Sequence, residues 1–285
     1  LKYIRKNLKL LKKSKFKIFD NLKVNAINFG NYILEQSQSV NFIKNVKTTF
    51  GTRIFVAFSN MLIVGLGARL LGPEGRGAYS VAATLAVAGV YLSLLGLNAS
   101  NTHFVAKDPG LISHLFSNNI FFSLIMSVLF IFAVTIIQFW FPKLILIQNK
   151  PLLVLSILWV PLSLMNILSQ SLFIGIEKIS TFNKLELIVP LASLLGIGLI
   201  ILFDKVTVEN FFFCSLLGQI LSLILAFYYL KSFVKDPVAG LSWKLFRENL
   251  LYGLRVLYFP SIFLLLLLDP GFLPGMRLIF YLFFN

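Results

Sequence analysis

Seven apolar segments reach or approach the roughly 17–25 residues that a helix needs to cross a bilayer. They cover residues 54–71, 77–97, 115–141, 151–176, 187–203, 211–230 and 250–268, and only Arg69 and Arg255 are charged within them. Backbone groups in hydrocarbon must bond internally, so these segments are expected to be helices. The alternating apolar and polar pattern of a membrane barrel is absent. A 58% hydrophobic, 13% charged chain of mean hydropathy +0.85 has no polar exterior to match its apolar content, which excludes an ordinary soluble enzyme and a disordered chain. The expected fold class is all-α, a polytopic membrane protein.

The charge is segregated. Residues 1–53 hold 12 Lys or Arg against 2 acids, Asp20 and Glu35, out of a net +15 for the chain. This head has no apolar core followed by a small-residue cleavage site, so it is not a signal peptide. Ile4, Leu8 and Leu11 recur at helical spacing among lysines. A basic amphipathic helix on anionic lipid and an unstructured tail that only sets orientation both fit. Nucleic-acid binding is not expected. With the N-terminus inside, the inner loops carry Lys107, Lys178, Lys184, Lys231, Lys235, Lys244 and Arg247. The outer loops carry Arg76, Lys143, Lys150 and Lys205. The excess places the N-terminus in the cytoplasm.

Punctuation marks the span ends. Gly72 and Pro73 stop the first helix, and the turn over residues 70–77 makes the first two helices an antiparallel hairpin. Trp140, Phe141, Pro142 and Lys143 combine an interfacial aromatic with a helix stop. In the second span Ala82, Ala86, Gly89, Ser93 and Gly96 fall on one face, a seam that lets backbones approach closely or slide. Pro161, Pro190 and Pro260 sit within spans and are candidate kinks.

Polar side chains within spans are costly and so informative. Asn60, Asn118, Asn119, Gln138, Asn166, Gln170 and Gln219 are the candidates, and Asn166 and Gln170 share a face. Asn60, Asn166 and Gln170 either bond to neighbouring helices or line a hydrated cavity. Arg53 begins the first span and Arg255 lies about one turn into the seventh. A guanidinium there either anchors at the interface or faces water, where it suits a phosphate. Cys214 is the only cysteine, which precludes an internal disulfide and a cysteine metal site. It is expected to be a small lipid- or helix-facing residue. The chain lacks a P-loop, His103 and His114 have no acid arranged beside them, and no metal site or cofactor is expected.

Three motifs carry a family resemblance. Thr49-Phe-Gly-Thr-Arg53 opens the first helix, Ala68-Arg-Leu-Leu-Gly-Pro-Glu-Gly-Arg-Gly-Ala-Tyr-Ser80 joins the first two, and Tyr252-Gly-Leu-Arg255 opens the seventh after a basic linker. From residues 47 to 258 the chain resembles the O-antigen-type polysaccharide biosynthesis flippases of the multidrug, oligosaccharidyl-lipid and polysaccharide exporter superfamily. The resemblance implies a bacterial inner-membrane transporter of undecaprenyl-diphosphate-linked oligosaccharide, not an enzyme, with H+ or Na+ as coupling ion. It implies Arg53 and Arg255 as cavity cations for the diphosphate. Arg69, Gly72, Pro73, Glu74, Gly75, Arg76 and Gly77 become a structural or gating turn at the outer end.

The implied organisation is a basic cytoplasmic segment over residues 1–50, a six-helix bundle over 51–231 and a cytoplasmic linker over 232–249. A seventh helix and a divergent end over 250–285 open a truncated second bundle. The alternatives are a multidrug cation antiporter of the same superfamily and a non-transporting membrane scaffold. Spans one to six as delimited here contain no acid, which favours an anionic substrate. Family cavities form between two bundles and this chain opens on Leu1, so a fragment, frameshift product or degraded gene is expected. Liposomes holding this chain alone are therefore expected to show no flipping of lipid-linked oligosaccharide in a leaflet-accessibility assay, and measurable flipping would overturn that expectation.

Overall fold

The computed structural model describes residues 43–140, 147, 149–234 and 241–268, with side chains to residue 257. The basic head before Ile43, the helix stop at Phe141–Lys143, the side chain of Pro260 and the end of the chain lie outside the described residues. Residues 1–51 and 52–285 form separate compact units. Of the first unit, residues 43–51 are described, as the opening turns of a helix.

Eight α-helices and no strand are present among the described residues. They are α1 (Ile43–Leu70), α2 (Gly72–Leu94), α3 (Leu97–Lys107), α4 (Ile112–Trp140), α5 (Lys150–Gly175), α6 (Ile179–Leu202), α7 (Val208–Leu230) and α8 (Trp243–Leu268). Six of them, α1, α2, α4, α5, α6 and α7, are long and apolar enough to cross a membrane. The protein is all-α, with a six-span body followed by a further helix.

Several boundaries differ from the sequence reading, each for a local reason. Gly72 has φ +67 and ends α1 as expected. Pro73 then occupies the first turn of α2 with Glu74 beside it, where a missing N–H costs nothing and a carboxylate favours the helix dipole. The segment read as turn through Gly77 is thus largely helix. The second span does not run unbroken to Leu97. Leu95 and Gly96 adopt φ 47 and 74, and the chain restarts as α3, a helix the sequence reading missed. Its hydropathy is too low to register as a span. The connection from α5 to α6 is only a short turn, because Glu177 takes φ 59 and α6 starts at Ile179. Lys184 and Glu186, read as loop, are helical. Likewise α8 begins at Trp243, within the stretch read as linker. Both α5 and α6 are helical straight through Pro161 and Pro190.

The centre of the body is α5. Its apolar window is 56% buried, against 22% for α1, α4 and α6, and it touches α2, α3, α4, α6 and α7. It supplies Leu152 and Leu153 to one apolar cluster, Val160, Leu164 and Leu168 to a second, and Met165, Leu172 and Phe173 to a third. A fourth cluster joins Ile63 of α1 to Ile197 of α6 and to Phe211 and Cys214 of α7. Outward faces such as Phe58, Met61, Leu124, Phe132, Leu195 and Leu221 remain exposed, as a lipid-facing surface requires.

Ala82, Ala86, Gly89 and Ser93 are buried, and a Cβ on Gly89 would lie 2.5 Å from the Phe130 ring. The seam therefore packs α2 against α4 and α5. Gly96 leaves that face and serves another contact: a Cβ there would sit 2.2 Å from the Gly253 carbonyl oxygen of α8. Two backbones touch where both residues lack side chains. Gly96→Ala combines this clash with a left-handed φ, and is expected to destabilise the fold by at least ~2 kcal/mol. Gly77→Ala, inside α2 with nothing within 4 Å, is expected to hold stability or raise it slightly. Thermal unfolding monitored by labelling of the buried Cys214 thiol measures both.

Candidate functional site

The charged site is built by α1 and α6. Nη1 of Arg53 donates to Oε1 of Glu186, the one ion pair found among the described residues. The guanidinium carbon also lies 5.9 Å from the centroid of the Phe182 ring, one helical turn before Glu186, within cation–π range. The Arg53 side chain is 59% exposed and that of Glu186 17%. Helical rise puts Arg53 about 25 Å from the Leu70 end of α1 and Glu186 about 24 Å from the Leu202 end of α6. Two spans thus carry opposite charges at similar distances from their far ends. Sequence reasoning found Arg53 and missed Glu186, because the acid was assigned to a loop. The signal available was helical spacing: Phe182, Glu186 and Pro190 recur every four residues.

That correction reaches the choice of substrate. A carboxylate does lie within the apolar body, so its absence no longer argues for an anion. What remains is that Glu186 is already paired with a cation.

Arg255 is exposed on α8, a helix that packs on α3 and α4. The two arginines expected to share a cavity are therefore held on different helices with different neighbours. The start of α8 is fixed by polar contacts. Ser100 Oγ donates to the Asn249 carbonyl at 2.7 Å, Asn249 Nδ2 donates to Asn101 Oδ1 at 2.8 Å, and Tyr252 stacks on His103 at 4.4 Å between centroids. The Tyr252-Gly253 motif thereby acquires a structural role, and His103 a partner.

The turn between α1 and α2 is likewise packed. Tyr79 meets Phe211 and Phe212 edge-on at 5.4 and 5.6 Å, and a Cβ on Gly75 would lie 3.2 Å from Val208. Arg69, Pro73, Glu74, Arg76 and Gly77 are exposed. Beside this turn, Asn149 caps α5 through Leu152 N and donates to Glu209 at the start of α7.

Asn60 is exposed on α1. Asn166 is buried and bonded at both ends of its amide: Nδ2 donates to Gln219 Oε1 at 2.7 Å, and Oδ1 accepts from Gln170 Nε2 at 2.9 Å and Ser222 Oγ at 3.2 Å. The single Ser222 hydroxyl proton is shared between that amide oxygen and the Leu185 carbonyl at 3.0 Å. These residues tie α5, α6 and α7 together. A second polar seam has Asn101 Nδ2 donating to Asn119 Oδ1 at 3.0 Å and Ser171 Oγ at 3.2 Å.

The helices and the charge pair define a multi-pass membrane protein whose polar chemistry is gathered inside its bundle. A family profile described as "Polysaccharide biosynthesis protein" matches residues 42–268, and the chain belongs to that family. Searches of curated proteins and of solved structures return no match.

Asn166→Ala leaves Gln219 and Gln170 without their partner and is expected to lower stability by about 1–2 kcal/mol. Asn60→Ala is expected to change nothing. Melting in detergent distinguishes the two.

Proposed function

We propose that this protein forms the diphosphate-binding bundle of a flippase that carries undecaprenyl-diphosphate-linked oligosaccharide repeat units across the bacterial cytoplasmic membrane. It acts as a transporter rather than an enzyme, with its N-terminus in the cytoplasm and an H+ or Na+ gradient as the driving force. The observation that carries this reading is Arg53, a guanidinium within a membrane-spanning helix of a polysaccharide biosynthesis protein. It is held in place by Phe182 yet more than half exposed. An exposed guanidinium fork at that depth has no use for lipid tails and matches a phosphate in charge and geometry. Arg255, exposed on α8, is a second cation for the same diphosphate. The six-span body holds this site, and the segment before α8 connects it to the helix bearing Arg255.

A multidrug cation exporter of the same superfamily is the second reading, and Glu186 favours it. Glu186 is only 17% exposed while Arg53 is 59% exposed, so the group the pair offers to a substrate is the cation. The flippase reading therefore stands ahead.

Binding reads this step separately from translocation. The protein in nanodiscs is expected to bind a fluorescent polyprenyl-diphosphate oligosaccharide in preference to the polyprenyl alcohol. Arg53→Lys, which keeps charge but loses the planar fork, is expected to weaken binding by about tenfold. Equal binding of alcohol and diphosphate, or preferential retention of ethidium, would hand the site to the second reading.

A further inference from the structure

The ion pair of α1 and α6 is half made on both sides. Only Nη1 of Arg53 is engaged, and no described residue accepts from Nε or Nη2. On the other side, Glu186 Oε2 is buried with no hydrogen-bond partner. The strong arrangement of these two groups is a fork-to-fork pair with two parallel bonds, and a buried carboxylate oxygen left bare is a standing cost. A contact selected for stability alone would be expected to close both bonds. Phe182 meanwhile holds the guanidinium through its face, a contact that does not depend on the carboxylate.

We propose that Glu186 is an internal counter-anion which occupies Arg53 until a phosphate takes its place, so that phosphate binding unlatches α1 from α6. The phosphate is that of the substrate, and to this extent the inference rests on the flippase reading. A phosphate arriving at Nε and Nη2 offers several acceptor oxygens and more negative charge than one carboxylate. Once it is bound, two anions face one cation. Their repulsion drives the carboxylate-bearing helix away, while Phe182 releases Arg53 last. Binding free energy is thereby converted into separation of two helices that meet at the same membrane depth. Glu186 is a positioning residue here: it touches Arg53, and the substrate replaces it.

The test uses the whole chain in nanodiscs, with Cys214→Ser removing the native thiol and spin labels at Ile54 and Ser180, both exposed. The inter-label distance is measured with no ligand, with inorganic phosphate or pyrophosphate, and with the polyprenyl-diphosphate oligosaccharide. Phosphate probes are expected to lengthen the distance. Glu186→Gln is expected to show the lengthened distance without ligand and to bind pyrophosphate about tenfold more tightly, the gain from releasing a competent state populated roughly one-tenth of the time. The swap Arg53→Glu with Glu186→Arg keeps an ion pair and controls for folding. It is expected to restore the short distance but not the phosphate response. Unchanged or weaker pyrophosphate binding by Glu186→Gln, with an unchanged distance, overturns the latch. A shift with free pyrophosphate but none with the lipid-linked oligosaccharide keeps the latch and removes the flippase reading instead.

Discussion

A polar side chain on a membrane helix gains from a protein partner or from water, and the amide contacts that answer this need organise the centre of the bundle. α5 is the helix on which it is met. Asn166 spends both ends of its amide on neighbours from α7 and its own helix, and Ser222 passes the link to the α6 backbone. Ser171 receives Asn101 from α3. Apolar packing alone gives little preference between helices in lipid, since the tails are as apolar as leucine. Here the amides supply the preference, and the leucines of α5 fill the space around them.

The same requirement explains what could be read beforehand. The six spans of the body, the Gly72 stop and the small-residue seam of α2 are local or periodic signals. They depend on hydropathy, on φ and on side-chain size, and all are visible in a single chain. The outcome for Asn166 was one of two open readings, because a polar residue on a helix face looks alike whether its partner is water or Gln219. Glu186 and α3 were missed for another reason. A helix that begins before its apolar run hides polar residues in what looks like a loop, and hydropathy cannot find its first turns. The break at Gly96 was hidden by its periodicity, which continued the seam although the backbone did not.

The contact between Gly96 and Gly253 has the same character at longer range. Neither glycine announces itself, and only the fold places them back to back. Because the α2–α3 break and α8 meet at bare backbone, the Tyr252-Gly253 motif is tied to the six-span body before the side chain of Arg255 is considered. The polar bonds from Ser100 and Asn249 then set the rotation of α8 about its axis.

The turn between α1 and α2 has a mechanical consequence. Gly67 rests against Phe211, and Tyr79 of α2 is wedged by the aromatic pair of α7, so the Leu70 end of α1 can serve as a fulcrum. Arg53 sits at the far end of a stiff arm about 25 Å long. A tilt of about 10° about that fulcrum, well inside the range seen for membrane helices, sweeps the guanidinium through about 4 Å. That stroke is comparable to the reach of an ion pair. Modest rocking of one helix thus decides whether its charge is within grasp of a neighbour, with no unwinding and no rearrangement of the packed aromatic end.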